Sequence, residues 1–245
     1  MIKRAALIIL LLVIATMGVL QFPEAFVPKQ LDYKNFELYS KDSIVLNDDL
    51  IKVLDSVIVN IKKSQFYQGD QVFELYFIKG TFYERVAQLL GAQQLASSKF
   101  NKHLYFGDPN FAHSKLVKGL EAHGWVNLVQ IISHEAVHSQ MYQDYSQFGF
   151  MKTQPWINEG YCEYISYDPQ RNKATYNLAD LYHKYKHSND DWVATEYASL
   201  TPRLYLRDRI IMEYLMDHKG LSIFEIIANS QLNPETILTE IDGHL

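Results

Sequence analysis

Apolar and polar residues alternate with helical spacing early in the chain, between residues 50 and 61. Such spacing brings the apolar side chains to one side of an amphipathic helix. The residues concerned are Ile51, Val53, Leu54, Val57 and Ile58. Asp48 and Asp49 stand immediately before them and are predicted to cap the helix, because carboxylate oxygens accept hydrogen bonds from the free N–H groups of a first turn.

Two later segments have the composition of strands. Residues 71–78 (QVFELYFI) are rich in aromatic and β-branched side chains, and residues 102–106 form a shorter run of the same kind. Between them, residues 81–90 are predicted to be helical, and residues 107–110 (GDPN) are predicted to form a turn. The first half of the chain is therefore expected to combine a small sheet with helices.

The second half of the chain has helical periodicity almost throughout. Helices are predicted for residues 125–142, 155–165, 178–186, 202–218, 222–228 and 234–241. A small N-terminal mixed sheet with helices, followed by a mainly helical half, predicts an α+β fold. No second linker and no internal repeat interrupts residues 27–245, so these residues are expected to form a single domain.

Residues 1–26 differ from the rest of the chain and are interpreted as a membrane anchor or signal segment. Lys3 and Arg4 precede residues 5–22, an uncharged stretch that would extend about 27 Å as a helix and so match the apolar core of a bilayer. The bulky residues at its end favour an uncleaved anchor over a cleaved signal peptide. Because the two cations would stay in the cytoplasm, the domain is expected outside the membrane, or secreted if the segment is cleaved.

The charge balance excludes one class of partner. The formal net charge is −5, and no cluster of Lys and Arg stands out after the first few residues. Nucleic-acid-binding proteins neutralise phosphates with basic surfaces, so no nucleic-acid partner is expected. Cys162 is the only cysteine, which rules out a disulfide within the chain, and it is predicted to be a small buried apolar residue.

A short segment in the second half carries a chemical pattern. His134 and His138 are four residues apart in a predicted helix, so both imidazoles point to the same side, as the first two ligands of a tetrahedral Zn²⁺ site must. Glu135 is rotated about 100° around the helix axis, where it can act as a general base on a metal-bound water without binding the metal. Alone, this pattern is also compatible with two surface histidines and a solvated glutamate.

A second segment makes the zinc interpretation more specific. The sequence PWINEG, residues 155–160, opens with a proline, which is favoured at the first position of a helix. Its glutamate, Glu159, follows His138 after twenty intervening residues. Together the two segments resemble those of the gluzincin metallopeptidases, the superfamily of thermolysin and the zinc aminopeptidases. The resemblance implies that His134, His138 and Glu159 bind Zn²⁺ and that a water takes the fourth position.

The same resemblance implies two further roles. Glu163, four residues after Glu159, would accept a hydrogen bond from the outer nitrogen of His134 and fix its tautomer. Tyr205, which opens the segment YLRDRIIMEYLMDHKG, would stabilise the oxyanion that forms during hydrolysis. Three further residues are candidates for this second role: Tyr197, His183 and His187.

These assignments predict a zincin-like domain that acts as a zinc-dependent hydrolase and cleaves peptide bonds outside the cytoplasmic membrane. Residues 116–121 lack the exopeptidase motif of the zinc aminopeptidases, so an endopeptidase acting on a peptide or protein substrate is expected. Two alternatives are a membrane-tethered zinc-binding or assembly protein without turnover, and a zinc amidase acting on non-protein amides. The presence of Glu135 counts against the first, because a structural zinc site has no need of a general base.

The remaining expectations concern the first half of the chain. Gluzincins bind a substrate peptide along an edge strand, and the strand at residues 102–106 is the candidate for that edge here. Three histidines lack a partner at a useful spacing and are interpreted as ordinary polar residues: His103, His113 and His123.

Overall fold

The computed structural model describes residues 22–89, 96–99, 103–111, 115–117, 125–167, 177–195 and 200–245. The predicted α+β class is confirmed, with a mixed sheet in the N-terminal half and helices dominating the C-terminal half. The predicted anchor or signal segment lies almost entirely in residues 1–21, outside the described residues. Among those that are described, no helix combines the length and the apolar composition needed to cross a membrane.

The N-terminal sheet contains, among the described residues, the strands β1 (Lys29–Tyr33), β2 (Phe36–Ser40), β3 (Phe73–Phe77), β4 (Ala96–Lys99) and β5 (His103–Phe106). Their order across the sheet is β1-β2-β3-β5-β4. The three central strands run parallel, whereas β1 and β4 pair antiparallel with their neighbours at the two edges. Both predicted strands, β3 and β5, are confirmed and occupy the interior of the sheet.

Helix α1 (Asp48–Ile61) connects β2 to β3 and contributes its apolar side to the main core. The cap is Asn47, whose side chain accepts a hydrogen bond of 2.9 Å from the Leu50 N–H, so the prediction that Asp48 and Asp49 cap the helix is wrong. The two acids lie in the first turn instead, where their charge stabilises the positive end of the helix dipole. The short helix α2 (Phe82–Leu89) follows β3, within the predicted range.

The two faces of the sheet have different environments. One face supplies phenylalanines and leucines to the main core, while the other is covered by a cluster of tyrosines. On that second face His103 is buried, and its Nε2 lies 3.0 Å from Oε2 of Glu74 on the neighbouring strand. His103, which has no partner at a useful spacing in the sequence, thus has a partner across the sheet. Parallel pairing places Glu74 opposite His103, a relation that sequence spacing does not reveal.

A three-stranded antiparallel sheet occupies the centre of the chain, formed by β6 (Asp108–Asn110), β7 (Lys115–Val117) and β8 (Trp125–Asn127). The predicted turn at residues 107–110 is thus mostly strand. The predicted helix at residue 125 begins three residues later, because Asn127 acts as its cap: the Asn127 side chain accepts a hydrogen bond from the Gln130 N–H at 3.2 Å.

Four long helices form most of the C-terminal half: α3 (Leu128–Lys152), α4 (Pro155–Ser166), α5 (Leu178–His187) and α6 (Arg203–Glu213). All four were predicted, although α3 continues ten residues beyond its predicted end. The segment predicted as one helix over residues 202–218 changes after α6 into a π-helical turn, Tyr214–His218.

The last two helices are α7 (Ile223–Ala228) and α8 (Pro234–His244), as predicted. Ser222 and Asn233 cap them, each accepting hydrogen bonds from backbone N–H groups of the first turn. The expectation of an almost entirely helical second half needs one correction. Strands β9 (Trp192–Ala194) and β10 (Leu200–Pro202) form an antiparallel pair ahead of α6, on one wall of the cavity described below.

Candidate metal centre

The two histidines of the predicted motif lie together on α3. His134 and His138 are buried, and their Nε2 atoms are 3.1 Å apart. This separation follows from helix geometry, since side chains four residues apart lie one turn above each other on the same face. Their apolar neighbours on α3 pack into the main core, which leaves the histidines on the side of the helix that faces the cavity.

The third candidate ligand comes from the first turns of α4. Oε2 of Glu159 lies 3.2 Å from Nε2 of His134 and 3.5 Å from Nε2 of His138. Gly160 permits α4 to approach α6 closely: a Cβ at this position would stand 2.5 Å from the backbone oxygen of Asp208. The glycine after the glutamate therefore allows the close packing of α4 on α6.

The three ligand atoms fit a tetrahedral metal ion. Zn²⁺ binds imidazole nitrogen and carboxylate oxygen at about 2.0–2.1 Å, so tetrahedral ligand atoms stand about 3.3–3.4 Å apart. The observed separations of 3.1, 3.2 and 3.5 Å bracket that value. Apart from its two imidazole contacts, the buried Oε2 of Glu159 has no hydrogen-bond donor among the described residues. A cation between the three atoms would satisfy that oxygen, so the residues fit the metal.

The outer nitrogens of both imidazoles also have contacts. Nδ1 of His134 lies 3.2 Å from Oε1 of Glu163, and the other oxygen of that carboxylate accepts a hydrogen bond of 3.0 Å from Gln130. Nδ1 of His138 lies 3.2 Å from Sγ of Cys162, which is completely buried as predicted. Sequence reasoning did not find Gln130 or the contact of Cys162. Gln130 precedes His134 by four residues on α3, so helical spacing was a signal for it, whereas Cys162 lies on α4 and no spacing relates it to His138.

The electrostatics of the site favour a cation. Burial acts against ionisation of Glu159, but the two imidazoles outweigh it and hold the pKa of its carboxyl far below the usual range. Burial likewise acts to lower the pKa of His134, and the carboxylates of Glu159 and Glu163 raise it well above its ordinary value. Three acids, counting Glu135, thus surround two imidazoles in a largely buried space.

Glu135 lies beside this cluster without joining it. Its side chain is buried, and burial raises its pKa above the ordinary value, while the two histidines act in the opposite direction. A hydrogen bond with Ser98 of β4 connects it to the N-terminal sheet. A carboxylate with a raised pKa, close to the candidate ligands but not one of them, has the properties expected of a general base.

The strand beside the site is β4, not β5. Among the described strands, β5 lies between β3 and β4, so the prediction that residues 102–106 form the exposed edge is wrong. Ser97 and Ser98 of β4 line the cavity, and β4 is the edge strand next to α3. Its sequence, ASSK, contains no β-branched or aromatic residue, so propensity gave no signal for it.

Tyr205 lies at the start of α6 and faces the cluster. Its ring stacks on that of His134, with centroids 5.8 Å apart and planes 12° from parallel. Burial and the neighbouring carboxylates raise the pKa of its phenol, so the hydroxyl stays protonated and able to donate a hydrogen bond. Tyr142 of α3 also reaches the cavity and was not predicted.

None of the other three candidates for stabilising the oxyanion is a described residue of the cavity lining. His183 and His187 lie on the exposed side of α5, with ring centroids 4.2 Å apart, and are not among the described residues that line the cavity. Tyr197 lies outside the described residues, as do His113 and His123.

The cluster opens into a cavity of about 470 Å³ between the edge strand β4, helix α3 and the β9–β10 pair. Its described lining away from the cluster is mostly apolar and includes Ala96, Val126, Ile131, Trp192, Leu200 and Pro202. No lysine or arginine occurs among the lining residues that the structure describes. The cavity thus combines an acidic polar floor with apolar walls, the usual composition of a ligand site.

Comparisons with known proteins find no family model, no curated protein and no solved structure that matches this chain. A functional interpretation therefore depends on the geometry and chemistry of the site itself.

Proposed function

We propose that this protein is a zinc-dependent hydrolase. The observation that supports the proposal best is the convergence of Nε2 of His134, Nε2 of His138 and Oε2 of Glu159 at tetrahedral spacing, with Glu135 beside them. In finer detail we propose a gluzincin-type peptidase, in which Glu163 orients His134. The membrane anchor at residues 1–26, which would place the domain outside the cytoplasmic membrane, is part of the same proposal.

The chemistry assigned to the side chains is hydrolysis of an amide. Bound zinc would supply Lewis-acid activation of a water molecule and of the substrate carbonyl. Glu135 takes a proton from the attacking water and returns it to the leaving amine, a task suited to its buried, raised-pKa carboxyl. Tyr205 donates a hydrogen bond to the carbonyl oxygen as it gains negative charge.

The cavity favours an internal peptide bond as the substrate. A terminal carboxylate is commonly recognised by a cationic side chain, and none of the described lining residues is a lysine or arginine. Edge strand β4 runs beside Glu135, where an extended peptide can pair with its backbone. The apolar walls around Trp192 and Leu200 suit an uncharged side chain next to the scissile bond.

The first test is the zinc content of the purified full-length chain, with Glu159→Ala and Glu235→Ala compared side by side. Glu235 is an exposed glutamate of α8 and serves as the matched control. About one zinc per chain in the wild type and the control, with strong loss in Glu159→Ala, is the expected result. A wild-type chain that stays metal-free after reconstitution would overturn the proposal.

Turnover is tested separately on the zinc-loaded protein. Internally quenched peptides with apolar or charged residues beside the cleavage position form one substrate panel, and non-protein amides form another. Cleavage of the apolar peptides supports the peptidase, whereas cleavage of the second panel alone indicates an amidase. Zinc binding without turnover of either panel would favour the alternative function, a membrane-tethered zinc-binding protein.

A further inference from the structure

Three exposed phenylalanines cluster where residues 1–21 join the described structure. Phe22, Phe26 and Phe82 are 54%, 39% and 57% exposed. The rings of Phe26 and Phe82 lie 5.7 Å apart, and Phe22 and Phe26 flank the short 3₁₀ turn Pro23–Ala25. These three residues are called the aromatic patch below.

The phenylalanines of the patch are exposed although residues next to them in the sequence are buried. Val27 and Tyr83, each directly after a phenylalanine of the patch, are almost completely buried, and Tyr83 stacks on Tyr105 of β5 with ring centroids 4.9 Å apart. The positions that cover the sheet are therefore already filled by other residues. Phe26 and Phe82 are instead exposed, and each has the ring of the other as a neighbour. Adjacent exposed aromatic rings mark an interaction surface more strongly than isolated ones do.

The sequence before the patch indicates what covers it. Residues 5–22 contain no charge, and an 18-residue helix that is apolar on every side needs apolar surroundings all around it. Three partly exposed rings are too few to surround such a helix, whereas a bilayer matches its length of about 27 Å. The patch begins at the last residue of this stretch, so it would lie at the membrane surface.

We propose that the aromatic patch inserts into the outer interface of the bilayer, so that the domain contacts the lipid directly and is not attached through the anchor alone. Apolar side chains next to an anchor bury themselves at the boundary between headgroups and acyl chains. Arg85 is exposed three residues after Phe82 on α2 and can contact lipid phosphates, but Glu24 in the adjacent turn opposes this attraction. Apolar burial is therefore the main contribution. The proposal depends on the membrane anchor and is independent of zinc binding and hydrolysis.

The experiment uses the full-length chain in phosphatidylcholine vesicles, with the fluorophore NBD on one introduced cysteine. Phe82→Cys places the label in the patch. Phe224→Cys is the matched control, because Phe224 is 44% exposed on α7 in the helical half, where its ring packs against Phe66. The native Cys162 is completely buried and does not compete for the label. Circular dichroism verifies that both variants fold.

Lipids that carry a spin label near the headgroup should quench the fluorophore at position 82 several-fold more than the one at position 224. Equal, weak quenching at both positions would show that the patch faces water and would overturn the proposal. If the emission of the label at position 82 is blue-shifted but the spin-labelled lipids do not quench it, protein covers the patch. That result would also overturn the proposal. Recovery of the full-length chain apart from the membranes would also overturn it.

Discussion

Oε1 of Glu163 lies 3.2 Å from Nδ1 of His134, on the edge of the imidazole opposite the one that faces Glu159. With a metal ion bound, a carboxylate in this position would keep the ring proton on Nδ1 and leave the lone pair of Nε2 to the metal. The hydrogen bond from Gln130 to the second oxygen of Glu163 keeps the carboxylate in place. Both residues line the cavity, and neither belongs to the group of His134, His138 and Glu159 that could bind a metal.

Substitution of either supporting residue should weaken zinc binding while leaving the fold intact. For Glu163→Gln we expect affinity to fall by about 10–100-fold, the usual cost of losing an outer contact to a metal-bound histidine. Gln130→Ala should give a smaller loss in the same direction. Competition with a chromogenic chelator measures both affinities. The matched control is Gln143→Ala, an exposed glutamine of the same helix, and unchanged affinity in Glu163→Gln would contradict the assignment.

Glu135→Gln should separate metal binding from catalysis. The amide keeps the size of the side chain but cannot accept a proton, so zinc content should stay near that of the wild type. We expect kcat to fall by about 10²–10⁴-fold on a substrate identified in the peptide screen. Cleavage at the wild-type rate would show that Glu135 is not the base.

Tyr205→Phe should lower kcat and leave both zinc content and KM nearly unchanged, because the phenol acts only when charge develops on the carbonyl oxygen. Loss of one such donor costs about 10²–10³-fold in kcat. Tyr142→Phe is the informative comparison, since Tyr142 also reaches the cavity. If Tyr142→Phe lowers kcat and Tyr205→Phe does not, Tyr142 is the hydrogen-bond donor to the carbonyl oxygen and Tyr205 is not.

The raised pKa of Tyr205 gives a prediction for the pH profile of the wild type. A free tyrosine loses its proton at about pH 10, and here burial and nearby carboxylates disfavour the phenolate further. The protonated donor therefore persists through pH 10, and activity should not decline below that pH through ionisation of this group. A decline near pH 9 that disappears in Tyr205→Phe would contradict the environment described for Tyr205.

Gly160→Ala should destabilise the protein, because the new Cβ would meet the backbone oxygen of Asp208 at 2.5 Å and the backbone would have to shift. Overpacking of this kind costs about 1–3 kcal/mol in the free energy of unfolding. Gly243→Ala is the control, since Gly243 lies near the end of α8 with open space around it. Urea unfolding should show a lower midpoint for Gly160→Ala only.

The helices were predicted best because their signals are local. Periodicity located α1, and Pro155 marked the first residue of α4 as predicted. The predicted first residue of a helix was wrong where a single polar side chain caps the helix. Asn47 caps α1, for which Asp48 and Asp49 were predicted, and Asn127 caps α3, for which no cap was predicted. Among the strands, β3 was predicted from its composition. The composition of β4 gave no such signal, and this strand is stabilised by its pairing with β5.

The sequence by itself determined that His134 and His138 share one face of a helix, since four-residue spacing and helix geometry are local properties. Only the tertiary structure decided that Glu159 reaches that face, because this depends on α4 packing closely between α3 and α6. The same holds for Ser98 of β4 and Cys162 of α4. Gln130 lies on α3 itself, and only its contact with Glu163 of α4 depends on the tertiary structure. Contacts between distant segments depend on the packing of whole elements, a property that no short stretch of sequence contains.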